Sequence, residues 1–223
     1  MLEIILDTET TGLSVAENHK IVEIGCVELE NQIPTNRIFH EYINPQRSVS
    51  EAAFKVHGYT KDFLSKKKIF SEISEDFLNF ISGKKLIIHN APFDLSFLNY
   101  ELKLINKNKI DIKNVVDTLE LARSKFPGSQ NSLDALCKRY NIDNSKREKH
   151  NALIDCHLLK EVYINLLDQK EPKFELNMDR NFGEENISNF KNVYFDKIVK
   201  PTEDELKLHK EFLKKEIKKN FFN

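Results

Sequence analysis

Two carboxylates two residues apart end an apolar stretch: Asp7 and Glu9 follow LEIIL at 2–6. In an extended chain, positions i and i+2 project to the same side. The pair therefore aims two negative charges at one place, where they repel and one pKa must rise. A divalent cation between them removes that repulsion. Taken alone, the pair is explained equally well as a solvated strand end.

Two further clusters repeat the theme. His89-Asn90-Ala91-Pro92-Phe93-Asp94 joins an apolar run to a helical pattern, with Asp94 in the first turn, where the helix dipole by itself would favour an acid. His150-Asn151-Ala152-Leu153-Ile154-Asp155 opens a second helical pattern, and Asp155 falls among apolar neighbours. An acid on an apolar face needs a partner; an exposed Asp behind an N-terminal His is the plain alternative. Together the clusters supply four carboxylates and one imidazole. That oxygen-rich set suits Mg²⁺ or Mn²⁺ better than zinc.

The elements that must position these residues follow from periodicity. Residues 2–7, 20–30 and 37–43 read as strands, close enough in sequence for an antiparallel meander. The period then becomes helical at 71–82, with Ser71 as N-cap and Gly83 as stop. Strand 85–89, helix 93–105, strand 113–117 and helix 118–125 alternate after it. Pro127-Gly128 breaks the chain, a helix starts at Asn131 or Ser132, and a last strong helix covers 151–167. Three strands followed by alternating helix and strand predict an α/β fold with a mixed central sheet flanked by helices.

Composition sets outer bounds. The 223 residues carry 34 Lys+Arg against 35 Asp+Glu, so no global field draws the chain to a polyanion and local charges or metal ions must do that work. Three cysteines without CxxC spacing disfavour a disulfide framework and suit a reducing, cytoplasmic setting. The start MLEIILDTE does not form a signal peptide, and no run approaches the roughly 20 apolar residues that span a bilayer, so no membrane partner is expected.

DTETTG at 7–12, HNAPFD at 89–94 and HNALID at 150–155 resemble the three motifs of the DEDD exonuclease superfamily. The five-residue step from His150 to Asp155 marks the DEDDh branch. Over residues 1 to about 169 the chain is similar to the group of bacterial DNA polymerase III epsilon (proofreading) subunits, a likeness strengthened by VHG at 56–58. The resemblance implies a ribonuclease-H-like exonuclease fold and 3′→5′ hydrolysis at the 3′ end of single-stranded DNA. It implies that Asp7, Glu9, Asp94 and Asp155 hold two Mg²⁺ or Mn²⁺ ions and that His150 is the general base. It further implies that Thr10, Leu13, His57, Asn90 and Phe93 line the terminal-nucleotide site. His57 as a loop histidine and Phe93 as a core residue are the plain alternatives. The chemistry is consistent: two ions about 3.5–4 Å apart activate water and stabilise the leaving oxygen, and an unperturbed histidine accepts a proton near neutral pH.

Composition shifts after residue 170. Residues 170–200 read as a linker and 201–223 as a tethered helical tail, with Thr202 capping an acidic first turn and Leu206, Leu213 and Ile217 at helical spacing. In the resemblance, Pro201-Thr202 through Glu205-Leu206 and His209 implies docking on the polymerase III alpha subunit through 201–223, and Gln169–Phe174 lies where relatives contact the sliding clamp. A locally packed C-terminal helix is the plain reading of the tail. Two rivals share the motifs: a stand-alone DEDDh exonuclease of RNA processing or DNA repair, and a catalytically silent polymerase–clamp tether.

Overall fold

The computed structural model describes residues 1–145, 147, 149–167 and 201–216. The linker at 170–200, the clamp segment Gln169–Phe174 and residues 217–223 of the tail lie outside the described residues. The described part falls into two bodies, one holding residues 1–167 and the other residues 201–216.

The first body is built on a five-stranded sheet. Its strands are β1 (Leu2–Thr10), β2 (Ile21–Glu30), β3 (Ile33–Tyr42), β4 (Lys85–Ile88) and β5 (Val115–Asp117), in the order β3-β2-β1-β4-β5. β1–β2 and β2–β3 are antiparallel, while β4 lies parallel to β1 and β5 parallel to β4. The mixed sheet and its opening meander agree with the period-two pattern. Strand β3 starts at Ile33, four residues before its expected start. Asn31 and Gln32, both with positive φ (50° and 68°), make the two-residue hairpin turn, whose backbone twist matches the strands it joins. Asn-Gln is not the glycine-bearing pair that advertises such a turn.

Helices cover both faces. Ile4, Leu6, Ile24 and Cys26 pack with α3 (Phe70–Ile81) and α4 (Ala91–Leu104). Ile5, Val27, Leu29 and Ile87 pack on the other face against Cys156, Leu159 and Tyr163 of α7 (Ala152–Leu166). Helices α5 (Thr118–Lys125) and α6 (Leu133–Tyr140) extend that second layer through Ala122, Leu136 and Cys137.

Two expectations need correcting. Ser71 does not cap α3: the cap position is Ile69, whose N–H donates to the Glu72 carboxylate at 2.8 Å. The cap works from inside the helix, so a search for a preceding Ser or Asp misses it. Residues 51–65, without assigned structure in the sequence reading, form α1 (Glu51–His57) and α2 (Lys61–Ser65). Both are too short for a periodic stripe, although Ser50 and Thr60 cap them by accepting from Ala53 and Phe63 N–H.

In the second body, α8 (Glu203–Glu216) opens on a reciprocal cap. Thr202 N–H donates to Glu205 at 2.7 Å, and Glu205 N–H donates back to the Thr202 hydroxyl at 3.3 Å. Leu206, Leu208 and Phe212 are exposed on it. Among the described residues no helix is long and apolar enough to cross a membrane.

Candidate active site

Alternation along β1 decides which way the first acids point. Ile5 faces α7, so Asp7 and Glu9 share its side, while Thr8 faces α4. Helix α7 lies close on that face because β2 has a glycine beneath it. A Cβ on Gly25 would fall 2.6 Å from the Ala152 carbonyl carbon. Instead the Cys156 thiol donates to the Gly25 carbonyl at 3.1 Å. This close approach delivers His150 and Asp155 to the two acids of β1. Glu9, His150 and Asp155 each present a ligand atom, all within 4.8 Å of one another.

The second cluster arrives at the carboxyl end of the parallel strand β4. Asn90, in the left-handed region at φ 63°, turns the chain sharply into α4. Its N–H is held by the Asp117 carboxylate at 3.0 Å. Asp94 then enters the same cleft, buried, and accepts from the Thr8 hydroxyl at 2.7 Å. The cleft measures about 590 Å³ and is lined by Asp7, Glu9, Asn90, Phe93, Asp94, His150 and Asp155, among others.

Crowding these carboxylates in a poorly hydrated place raises their pKa values. Burial, then the charges of Asp94, Glu9 and Asp155, pushes Asp7 well above the carboxylate range. Burial and the charges of Asp155 and Glu23 push Glu9 up to about 8, against the pull of Arg147. Burial pushes Asp94 up to about 7 although the Thr8 hydroxyl favours its ionised form. A set of acids that repel so strongly, with oxygen donors converging from three elements, fits divalent cations as counter-charge.

Arg147 supplies a counter-charge from the chain itself. Its Nε lies 2.6 Å from Asp155 Oδ1, and a terminal nitrogen donates to Asp155 Oδ2 at 2.7 Å. The guanidinium also reaches His150 Nδ1 at 2.7 Å and Asp134 at 2.6 Å. Sequence reasoning missed this residue, because a lone arginine in a basic loop carries no pattern.

The expected nucleotide-site residues divide. Asn90 and Phe93 line the cleft; Thr10, Leu13 and His57 are not among its lining residues. The Thr10 hydroxyl is spent on the Gly12 carbonyl at 2.6 Å. Leu13 is 83% exposed. His57 is buried, accepts from Tyr59 N–H at 3.0 Å through Nδ1, and stacks on the Tyr59 ring at 4.7 Å. Burial holds its pKa below the ordinary value. Glu23 and Tyr59 were also missed; neither belongs to a motif.

The Exonuclease family model matches residues 4–163. The chain is 49% identical to the DNA polymerase III subunit epsilon of Rickettsia felis over 218 residues, covering 95% of each chain. It is 45% identical to that of Haemophilus influenzae, covering 98% of this chain and 91% of the relative. Among solved structures, Exonuclease X in complex with 5′ overhanging duplex DNA is 25% identical with a TM-score of 0.58, covering 75% of this chain and 92% of that one. The nuclease domain of 3′hExo, described as a DEDDh family member bound to rAMP, is 19% identical with a TM-score of 0.66, covering 76% and 92%. That second likeness concerns the fold alone.

Proposed function

Taking as premise that the chain belongs to the exonuclease family and, within it, to the DNA polymerase III epsilon subunits, we propose the following division of labour among its residues. The protein is a 3′→5′ exonuclease that proofreads during DNA replication. It depends on divalent metal, and the metal is Mg²⁺ or Mn²⁺. The observation that carries the assignment of residues is the convergence of Asp7, Glu9, Asp94, Asp155 and His150 on one cleft.

The four carboxylates would hold two cations, which when bound supply a water ionised at neutral pH and neutralise charge on the scissile phosphate and leaving oxygen. His150 takes the proton of the attacking water. Arg147 lies 2.7 Å from His150 Nδ1 and so orients the ring. Leu13 packs against the terminal base, Phe93 and Asn90 wall the cleft beside it, Thr10 holds the turn that carries Leu13, and His57 backs the pocket. Such a cleft takes one strand, so a frayed, mismatched 3′ end is the preferred substrate.

The exonuclease domain is 1–169, joined through 170–200 to a tail at 201–223 that docks on the polymerase III alpha subunit. The exposed Leu206, Leu208 and Phe212 on α8 support an apolar partner. Gln169–Phe174 is the segment proposed to meet the sliding clamp. The setting is the bacterial cytoplasm.

Asp7→Ala should abolish Mg²⁺-dependent release of 5′-mononucleotides from single-stranded DNA while leaving the melting transition in place. Undiminished release would refute the site. Retention of the polymerase by the full chain, but not by a chain ending at residue 200, tests the tail.

A further inference from the structure

Among the described residues, one heavily engaged carboxylate lies outside the cleft. Glu23 of β2 is fully buried and does not line the catalytic cavity. Its Oε1 accepts from His40 Nε2 at 2.7 Å and from the Asn151 side-chain amide at 2.7 Å. Its Oε2 accepts from the Tyr59 hydroxyl at 2.7 Å and from Ala152 N–H at 3.0 Å. Those four donors come from β3, the α1–α2 connection and the first turn of α7. They fill the roughly four lone-pair sites a carboxylate has, so Glu23 has no capacity left for a metal ion.

Two of these partners touch proposed site residues. Asn151 follows His150 directly and caps α7, its side-chain oxygen accepting from Ile154 N–H at 3.0 Å. Tyr59 stacks on His57 and donates its own N–H to that ring. Glu23 thus joins, through one residue each, the start of the helix that carries His150 and the platform under His57. His150 is tied in turn to α1 by its N–H to the Val56 carbonyl at 3.2 Å.

A purely structural role fits poorly with the group chosen. Glu23 stands opposite Glu9 in the β1–β2 register and adds a negative charge beside acids that already repel. A neutral amide would spare that repulsion, but it has one acceptor oxygen where four donors converge, and its NH₂ would confront two of them. Only the carboxylate satisfies all four at once, which locks their relative geometry.

We infer that Glu23 is a positioning residue: by binding Asn151, Ala152 and Tyr59 together it sets the placement of His150, and with it the rate of the chemical step. This rests on the reading that His150 is the base. A gap or slip of about 1 Å at a base lowers turnover without weakening ligand binding.

The test uses the full chain, an oligo-dT substrate, and Mn²⁺ binding by calorimetry. Glu23→Gln should lower kcat at least tenfold, with KM and the Mn²⁺ dissociation constant each within threefold of the parent. Asn151→Ser keeps an acceptor for the cap and deletes the amide donor; it should show the same split, and it decides the matter if Glu23→Gln does not fold. Tyr163→Phe removes a buried bond to Glu3 at 2.8 Å far along α7 and should lower melting temperature without changing kcat. The inference is overturned if the folded Glu23→Gln protein, or Asn151→Ser in its place, keeps kcat within twofold. It is also overturned if kcat falls only in step with Mn²⁺ affinity, or if Tyr163→Phe lowers kcat as much. His150→Ala separates the two readings: full activity there removes the base assignment itself, whereas an inactive His150→Ala beside an active Glu23→Gln removes only the role of Glu23.

Discussion

Arg147 and Asp155 form a two-point ion pair, 2.6 Å from Nε to Oδ1 and 2.7 Å from a terminal nitrogen to Oδ2, with both side chains almost wholly buried. The same guanidinium occupies Nδ1 of His150. One cation of the chain therefore contacts both a proposed metal ligand and the proposed base.

Arg147→Ala should lower the stability of the metal-free protein, because breaking a buried ion pair typically costs about 3–5 kcal/mol. The variant should bind Mn²⁺ several-fold more tightly, since the competing cation is gone. Melting in EDTA and calorimetric titration with Mn²⁺ measure the two effects; weaker Mn²⁺ binding would show that Arg147 assists the ion instead.

The raised acids set a pH dependence. Glu9 at about 8 and Asp94 at about 7 hold protons in the folded chain that the unfolded chain, with carboxyls near pH 4, has released. Their contribution to stability is full below about pH 4 and is lost as pH rises through 7 and 8. The melting temperature in EDTA should decline from pH 6 to pH 8.5, and saturating Mn²⁺ should flatten the decline. A melting temperature that climbs over this window contradicts the carboxylate crowding.

Glu9→Gln removes one of the repelling charges without changing shape. At pH 8 in EDTA it should relieve roughly 1–2 kcal/mol, on the order of 2–8 °C in melting temperature for a domain of this size. It should also abolish Mg²⁺-dependent hydrolysis. A variant both stabilised and inactive is the signature of an acid kept for function; one that is merely destabilised is not.

Gly25→Ala tests the contact that assembles the site. The new methyl would meet the α7 backbone at Ala152 and Leu153, and over-packing of this kind costs about 1–3 kcal/mol. Because α7 carries Asp155 and follows His150, nuclease activity should fall further than the stability loss accounts for at a temperature where the variant is folded. Unchanged kcat in a folded Gly25→Ala protein would show that α7 has slack on the sheet.

The residue order of the chain determined a good deal. The i, i+2 placement of Asp7 and Glu9 made them share a face, and the helical spacing around Asp155 made it an acid among apolar side chains. These are local consequences of backbone period, so they were legible without a fold. The mixed sheet followed from the switch of period after the opening strands. The short elements α1 and α2 and the Asn31-Gln32 turn were not legible, since capping and backbone twist, not periodicity, hold them.

Only the tertiary structure decided which distant groups face one another. Arg147 and Glu23 belong to no motif: one acts from a loop, the other from mid-strand. Their roles arise because α7 presses onto β2 at Gly25, bringing residues more than 120 positions apart within hydrogen-bond distance, as between Glu23 and Asn151. The pKa of Glu9 is likewise a property of that convergence, because desolvation and like charge exist only where the chain has folded back on itself.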